Sequence, residues 1–288
     1  MKARNFRYIK PATLTEAFRI LARCGEDAVP LAGGQSLLAG LNMRLSAPKV
    51  LVDIGDLSEL RGEAFTDEVV TLGALTRHAE LLSSGLVRQH LPLLRKAAPY
   101  IGHIAIRNRG TLGGSLAYAD PAAELPACAV ALNATIVLGS ASGSREVNAT
   151  DFYKGLFETE LKVGELITAV KIPVHMSSVR TGFAELSRRH GDFALVGLAA
   201  AVSMQGDRVQ TARLAYLGCA DTAKLAQSVG ALLTGKRLPF LDEHGLAEAI
   251  RQDLSPDDTP GVRSDTRLHL ANILTRRVLL SMSEHAAT

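Results

Sequence analysis

The sequence has no tryptophan, and its aromatic residues make up only 5% of 288, too few for the platforms on which single-stranded nucleic acid stacks. Its three cysteines, Cys24, Cys128 and Cys219, stand far apart and form no C-x-x-C pair. That spacing excludes a zinc site or an iron–sulfur cluster carried by this chain alone, and an odd count argues against a disulfide framework. The longest apolar run, 193–202, falls well short of the ~18 residues a membrane-spanning helix needs. Lys2, Arg4 and Arg7 put charge where a secretory signal requires an apolar stretch, so the expected location is the cytoplasm. Charge of one sign is also scarce. A net +3 from 32 basic and 29 acidic residues is scattered, and neither nucleic acid nor a membrane surface is expected as a partner. The eight histidines include no H-E-x-x-H and no i, i+4 pair, so no metal site is expected.

What is present reads as a globular chain long enough for two domains, with 47% hydrophobic and 21% charged residues. Thr13-Leu14-Thr15-Glu16 is a capping-box signature, and Leu14, Ala17, Phe18 and Leu21 continue at helical spacing until Gly25. Apolar runs at 28–32 and 49–54 read as strands, so the first fifty-odd residues form a βαβ unit. A strand at 69–72, helices at 76–83 and 86–98, a helix from Pro121 to about 132, and strands at 135–138 and 166–172 follow. The small residues of 139–144 read as a turn. Beyond Pro173, His175-Met176-Ser177-Ser178 reads as a short linker, which places a domain boundary near residue 176. Strands at 182–186, 194–204 and 209–217 come next, the last two joined by a hairpin turn, and helices at 223–233, 241–251 and 267–282 end the chain. The fold class is α+β, with domains 1–176 and 177–288.

Two glycine-rich loops carry the chemistry. Ala32-Gly33-Gly34-Gln35-Ser36 leaves a strand directly, and Thr111-Leu112-Gly113-Gly114-Ser115 repeats the design of paired glycines beside hydroxyls. Paired glycines let consecutive backbone N–H groups converge on one anion. Neither loop matches G-x-x-x-x-G-K-[ST] or G-x-G-x-x-G, so the usual nucleoside triphosphate site is not expected. Two such loops side by side suit a diphosphate bridge; tight turns account for each loop taken singly. Both readings stand on the glycine pattern alone.

The motifs L-A-G-G-Q-S-L-L (31–38), L-V-D-I (51–54), I-R-N-R-G-T-L-G-G-S-L-A (106–117), A-D-P-A-A-E (119–124), G-E-L-I (164–167) and R-R-H-G-D-F-A (188–194) follow one another in the order of a known family. The chain resembles the FAD-binding medium subunit of the molybdenum hydroxylases, the group that contains xanthine dehydrogenase and aerobic carbon monoxide dehydrogenase. The resemblance implies a two-lobed FAD-binding domain of the vanillyl-alcohol-oxidase type, then a small antiparallel three-stranded sheet with helices. It implies FAD as cofactor, its pyrophosphate held by Ala32, Gly33, Gly34, Gln35 and Ser36 together with Thr111, Leu112, Gly113, Gly114 and Ser115. Ile101 would pack near the cofactor and Ile167 would line its adenine side. Glu124 stands where the family usually has Asp, one methylene longer, in polar contact with the cofactor. Phe193 stands where some relatives place a Tyr against the flavin, covering the ring without a hydroxyl. By the same resemblance a large subunit with molybdopterin and a small subunit with two [2Fe–2S] clusters are partners. Electrons pass through those clusters to this FAD and on to an external acceptor. The substrate implied is an N-heterocycle, for instance a purine such as caffeine. A stand-alone flavin-dependent reductase and a carbon monoxide dehydrogenase medium subunit are the alternatives.

Other charged residues have structural readings beside functional ones. His103 near the second loop reads as structural, and Asp120 before Pro121 as a helix N-cap. Arg107 and Arg109 either attract the pyrophosphate or brace the loop. Arg188-Arg189 is either a solvated face or a docking point for the iron–sulfur subunit or an anionic acceptor.

Overall fold

The Thr13 hydroxyl accepts the Glu16 N–H at 3.2 Å, while the Glu16 carboxylate reaches back to the N–H of Ala12 at 2.7 Å. That reciprocal cap starts helix α1 (Leu14–Cys24), which Gly25 ends at a φ of 57°. The computed structural model describes residues 2–174, 179–240 and 242–284, apart from the side chain of Glu284. The expected boundary near residue 176 and the linker 175–178 lie outside the described residues, as does residue 241, from which one helix was expected.

Strands β1 (Arg7–Ile9), β2 (Ala28–Leu31) and β3 (Val50–Asp53) form a parallel sheet in the order β1-β3-β2, with the short helix α2 (Leu37–Asn42) between β2 and β3. Ala17, Ile20 and Leu21 of α1 bury against Val50 and Val52, which closes the expected βαβ unit. β1 was not expected, since three residues are too few to show alternation.

A five-stranded antiparallel sheet follows. β4 (Glu63–Thr66) and β5 (Val69–Gly73) form a hairpin, and six helices come next: α3 (Glu80–Ser83), α4 (Gly85–His90), α5 (Pro92–Ala97), α6 (Ile104–Arg107), α7 (Leu112–Tyr118) and α8 (Glu124–Ala131). β6 (Thr135–Ser140) and β7 (Gly143–Asn148) form a second hairpin. After α9 (Ala149–Phe152) and the ribbon of β8 (Tyr153–Gly155) and β9 (Glu158–Thr159), β10 (Leu166–Pro173) completes the order β4-β5-β10-β6-β7. Two expected helices between 76 and 98 are three short ones here. Ser84 restarts the chain by accepting the Val87 N–H at 3.0 Å, and Pro92 opens another helix at its first position. Residues 139–140 belong to β6 and 143–144 to β7, so only 141–142 of the expected turn is one. α8 begins at Glu124, three residues after Pro121. The Asp120 carboxylate accepts the Ala122 N–H at 2.9 Å and so caps a turn rather than the helix.

The C-terminal part is a sheet of β11 (Val179–Leu186), β12 (Val196–Gln205), β13 (Arg208–Leu217) and β14 (Lys224–Leu225), followed by α10 (Gln227–Leu233), α11 (Glu243–Asp253) and α12 (Ser264–Glu284). It has four strands where three were expected. Lys224 and Leu225 pair with Tyr216 and Ala215 on the free edge of β13, so the helix expected from 223 starts at Gln227. One face of this sheet packs under α10, α11 and α12 through Val196, Leu198, Val202 and Tyr216. The other joins α5 and α8 through Ala199, Ala215 and Leu217. Among the described residues no helix is long and apolar enough to cross a membrane.

Candidate FAD cleft

β2 ends at Leu31, and the chain turns through Gly33 and Gly34 into α2. Gly34 sits at a φ of 72°, a conformation that L side chains rarely adopt. Gly33 is required for a different reason, because a Cβ there would lie 2.3 Å from the carbonyl oxygen of Arg109 and 2.9 Å from the Cα of Gly110. The two loops therefore touch through their backbones. Among the described residues the N–H groups of Gly33, Gly34, Gln35 and Ser36 have no acceptor, while the Gln35 amide pins the loop by donating to the Gly33 carbonyl at 3.1 Å. Four unpaired donors in sequence form a ready anion cradle.

The second loop is built differently. Thr111 caps α7 by accepting the Gly114 N–H at 3.1 Å; Leu112 donates to Thr76 O at 2.9 Å, Gly113 to Ala74 O at 2.8 Å and Ser115 to Thr111 O at 3.0 Å. The N–H groups of Leu112 to Ser115 are spent on the fold, so the loop offers a close-packed wall and the Ser115 hydroxyl, not a second cradle. Leu112 departs from expectation altogether. Its side chain is buried in the core and its N–H is taken, so neither faces the cleft.

The cleft between the parallel and the antiparallel sheet has a volume of about 680 Å³. Ala32 through Ser36, Ile101, Thr111, Gly113, Gly114, Ser115, Glu124, Ile167 and Phe193 all border it. Ile167 reaches it next to an irregularity in the β10–β6 register between Ile167 and Ala169, which turns the strand locally. Phe193 lies on the rim, 76% exposed, and His103 is exposed outside the cleft. Arg107 is a brace: its guanidinium donates to the carbonyls of Ile101 at 3.1 Å and Gly102 at 2.8 Å. Arg145 grips both carboxylate oxygens of Glu165 at 2.8 Å, which fixes the lining segment 161–165 to β7.

The pattern of residues did not point to His78. It is 6% exposed in the cleft wall and bonds the Thr111 carbonyl through Nε2 at 2.9 Å; that nitrogen is the donor, which leaves Nδ1 as an unpartnered acceptor. Burial pushes its pKa down to about 4, so the ring is neutral. Its partner is distant in sequence, and no local motif marks it. Three carboxylates shift the other way, and burial raises Asp120 among them. Burial raises Glu124 to about 7, helped by the charge of Asp120, and burial together with Glu124 raises Glu185 to about 8.

These residues fit FAD. Four free N–H groups match a diphosphate, and Ile101, Ile167 and Phe193 give apolar faces to ring systems. The volume lies within the range of cofactor sites, roughly 300–1,000 Å³.

The comparisons agree with the geometry. Residues 4–175 match the family model of the FAD binding domain in molybdopterin dehydrogenase, and residues 181–282 that of the CO dehydrogenase flavoprotein C-terminal domain. The chain is 37% identical to the glyceraldehyde dehydrogenase medium chain of Sulfolobus acidocaldarius, over 95% of this chain and 96% of that one. It is 38% identical to the 6-hydroxypseudooxynicotine dehydrogenase complex subunit alpha of Paenarthrobacter nicotinovorans, over 97% and 95%. With the caffeine dehydrogenase subunit beta of a Pseudomonas species the identity is 35%, over 97% and 95%. The solved carbon monoxide dehydrogenase of Hydrogenophaga pseudoflava contains a chain that superposes with a TM-score of 0.94 at 33% identity, covering 99% of each chain. A cleft built for FAD, two family segments matched in order and relatives aligned over nearly their whole length give one result: this chain belongs to the FAD-binding medium subunits of the molybdenum hydroxylases, an oxidoreductase family that includes the carbon monoxide and xanthine dehydrogenases.

Proposed function

We propose that the chain is the electron-transfer subunit of a heterotrimeric molybdenum hydroxylase and holds FAD with its diphosphate on the N–H groups of Gly33, Gly34, Gln35 and Ser36. The observation that carries this reading is that run of four unpaired donors, set where the first loop meets the second. Thr111, Gly113, Gly114 and the Ser115 hydroxyl wall the diphosphate. Ile167 faces the adenine side, Ile101 and Phe193 the flavin side, and Glu124 makes a polar contact. When bound, FAD supplies a store for two electrons between one-electron clusters and an acceptor. The chain's own task is to bind, orient and shield the cofactor.

The domain division 1–176 and 177–288 belongs to this reading, and the two matched segments fall on either side of it. So does the two-lobed vanillyl-alcohol-oxidase type, supported by a cleft flanked by a parallel and an antiparallel sheet. The partners are a large molybdopterin subunit, a small [2Fe–2S] subunit and an external electron acceptor. In support, exposed Tyr118, Phe157, Val163 and Phe193 put apolar surface at or beside the cleft mouth, with the Tyr118 and Phe157 rings 5.2 Å apart. The substrate of the complex is an N-heterocycle, a purine such as caffeine among them, and the site of action is the cytoplasm. The relative named for caffeine supports that class.

Reconstitution tests the reading. The purified chain, stripped of flavin, is expected to quench FAD fluorescence with one-to-one stoichiometry, and co-expression with its neighbours to yield a complex containing molybdenum and iron. A chain that takes up no FAD sinks the proposal. Substrate turnover by the chain alone would favour a stand-alone reductase.

A further inference from the structure

One face of the parallel sheet is only partly covered. Strands lie about 4.8 Å apart and a helix with its side chains is about 10 Å across, so one helix covers two strands. In the order β1-β3-β2, α1 packs on β2 and β3, and β1 at the sheet edge is left with no helix of its own. Parallel sheets are normally covered on both faces. The gap is a groove of about 530 Å³ between β1 and α1, and it shares no lining residue with the FAD cleft. Ile9 of β1, half-buried, and Ile20 of α1, buried, give it an apolar floor.

Three arginines ring that floor, Arg7 from β1 and Arg19 and Arg23 from successive turns of α1. Strand alternation puts Arg7 and Ile9 on the α1 side, while Tyr8 between them turns to the other face and donates to Asp53. All three arginines are exposed, and among the described residues none of their guanidinium groups has an acceptor or an ion-pair partner. The one carboxylate on the rim, Glu16, is committed to the Ala12 N–H as part of the α1 cap. Neighbouring charges are already matched. Lys10, next along β1, pairs with Asp56, and Lys49, whose carbonyl accepts the Arg7 N–H, pairs with Asp27. Like charges four residues apart destabilise a helix, so Arg19 and Arg23 stand at a cost that an anionic partner reverses.

We propose that the groove between β1 and α1 seats an acidic amphipathic helix from a partner subunit of the complex. Its apolar residues rest on Ile9 and Ile20, and carboxylates three or four residues apart along it meet Arg7, Arg19 and Arg23. Arginine suits that task, because its planar fork pairs through two hydrogen bonds with a carboxylate and is weakly hydrated. An inorganic anion would meet the rim but leave Ile9 and the sheet face bare. The choice of a partner subunit rests on the heterotrimer reading; the uncovered strand and the unpaired arginines do not.

Phenylglyoxal, which modifies accessible arginines, tests the groove when the full chain and the co-expressed complex are compared by mass spectrometry. Arg7, Arg19 and Arg23 are expected to react in the chain alone and to lose that reactivity in the complex. Arg19→Glu with Arg23→Glu is expected to weaken assembly by more than about tenfold, and Arg19→Gln with Arg23→Gln to weaken it less, both with FAD uptake equal to wild type. Should the charge-reversed chain fail to fold, the glutamine pair and the protection pattern carry the test. Arginines equally reactive in chain and complex, or variants that assemble like wild type, overturn the proposal. Protection in the chain alone, with a dimer on gel filtration, makes the occupant a second copy and overturns it as well. A wild-type chain that forms no complex sinks the heterotrimer reading and the choice of partner with it, whereas an intact complex with reactive arginines overturns this proposal alone.

Discussion

The carbonyl oxygen of Arg109 occupies the space in which a side chain on Gly33 would begin, 2.3 Å from an ideal Cβ. Gly33 has no left-handed backbone, so the requirement for glycine is steric, and it is the contact that sets the width of the cleft floor. Two rigid backbones meet there, with no flexible side chain to give way.

Gly33→Ala is accordingly expected to push the loops apart, weaken FAD binding at least tenfold and cost about 1–3 kcal/mol of stability. Fluorescence quenching and urea denaturation measure the two effects. FAD affinity equal to wild type would show that this contact does not shape the site.

His78 gives a second prediction. Its imidazole is held neutral down to about pH 4, while an unfolded histidine takes up a proton near its ordinary value of 6.5. The unfolded chain therefore binds more protons between those values, and the stability His78 contributes is present above 6.5 and lost as pH falls through 4. The loss amounts to about 3 kcal/mol at most. His78→Gln keeps an amide donor for the Thr111 carbonyl and abolishes that dependence. Urea midpoints at about pH 7 and pH 5 are expected to differ less in the variant than in the wild type. Equal differences would mean that the ring is not buried as a neutral group.

Local signals in the sequence were the readable ones. Thr13 and Glu16 specify α1 within one turn, and Ala32 to Ser36 follow a strand long enough to see, so α1 and the strand that leads into the first loop stand where expected. Leu112 shows the limit of a motif. It belongs to the run as firmly as Gly113 does, yet its side chain is buried in the core and its N–H goes to the Thr76 carbonyl, several helices earlier in the chain. β1, β7 and β14 escaped because two or three residues, or a polar edge such as Gly-Ser-Arg-Glu-Val-Asn, carry no alternation against which to read them. His78 escaped for a related reason: it is defined by a partner from another element, and composition near it is ordinary.

In the C-terminal core the hydroxyl of Tyr216 lies 2.6 Å from that of Thr275, which donates in turn to the Ala271 carbonyl at 2.7 Å, and both side chains are fully buried. Thr275→Val leaves the tyrosine hydroxyl with no acceptor and is expected to cost about 1–3 kcal/mol. Adding Tyr216→Phe removes the orphaned group and is expected to restore part of the loss. A double variant no more stable than Thr275→Val would show that the bond is not what fixes β13 to α12. Urea denaturation of Thr275→Val, Tyr216→Phe and the double variant provides the cycle.

Both carboxylate oxygens of Glu185, on β11, are sealed from solvent without a hydrogen-bond partner, and the stability of the whole chain should record the proton they hold. Its carboxyl releases that proton near pH 8 in the folded state, against 4.5 for an ordinary glutamate, so the folded chain binds the extra proton between those values. The contribution is complete below 4.5 and disappears as pH rises through 8, opposite in sense to that of His78. Glu185→Gln has nothing to titrate at this position. Between about pH 6 and pH 9 the wild type is expected to lose more stability than the variant. Glu185 is half-buried, so solvent screening reduces the difference to about 1–2 kcal/mol. Urea denaturation at both pH values measures it, and the comparison cancels every other titrating group the two chains share. Parallel losses in the two chains would place the Glu185 carboxylate in contact with water or a cation when ionised, and the sealed, partnerless setting of its oxygens would then have to be abandoned.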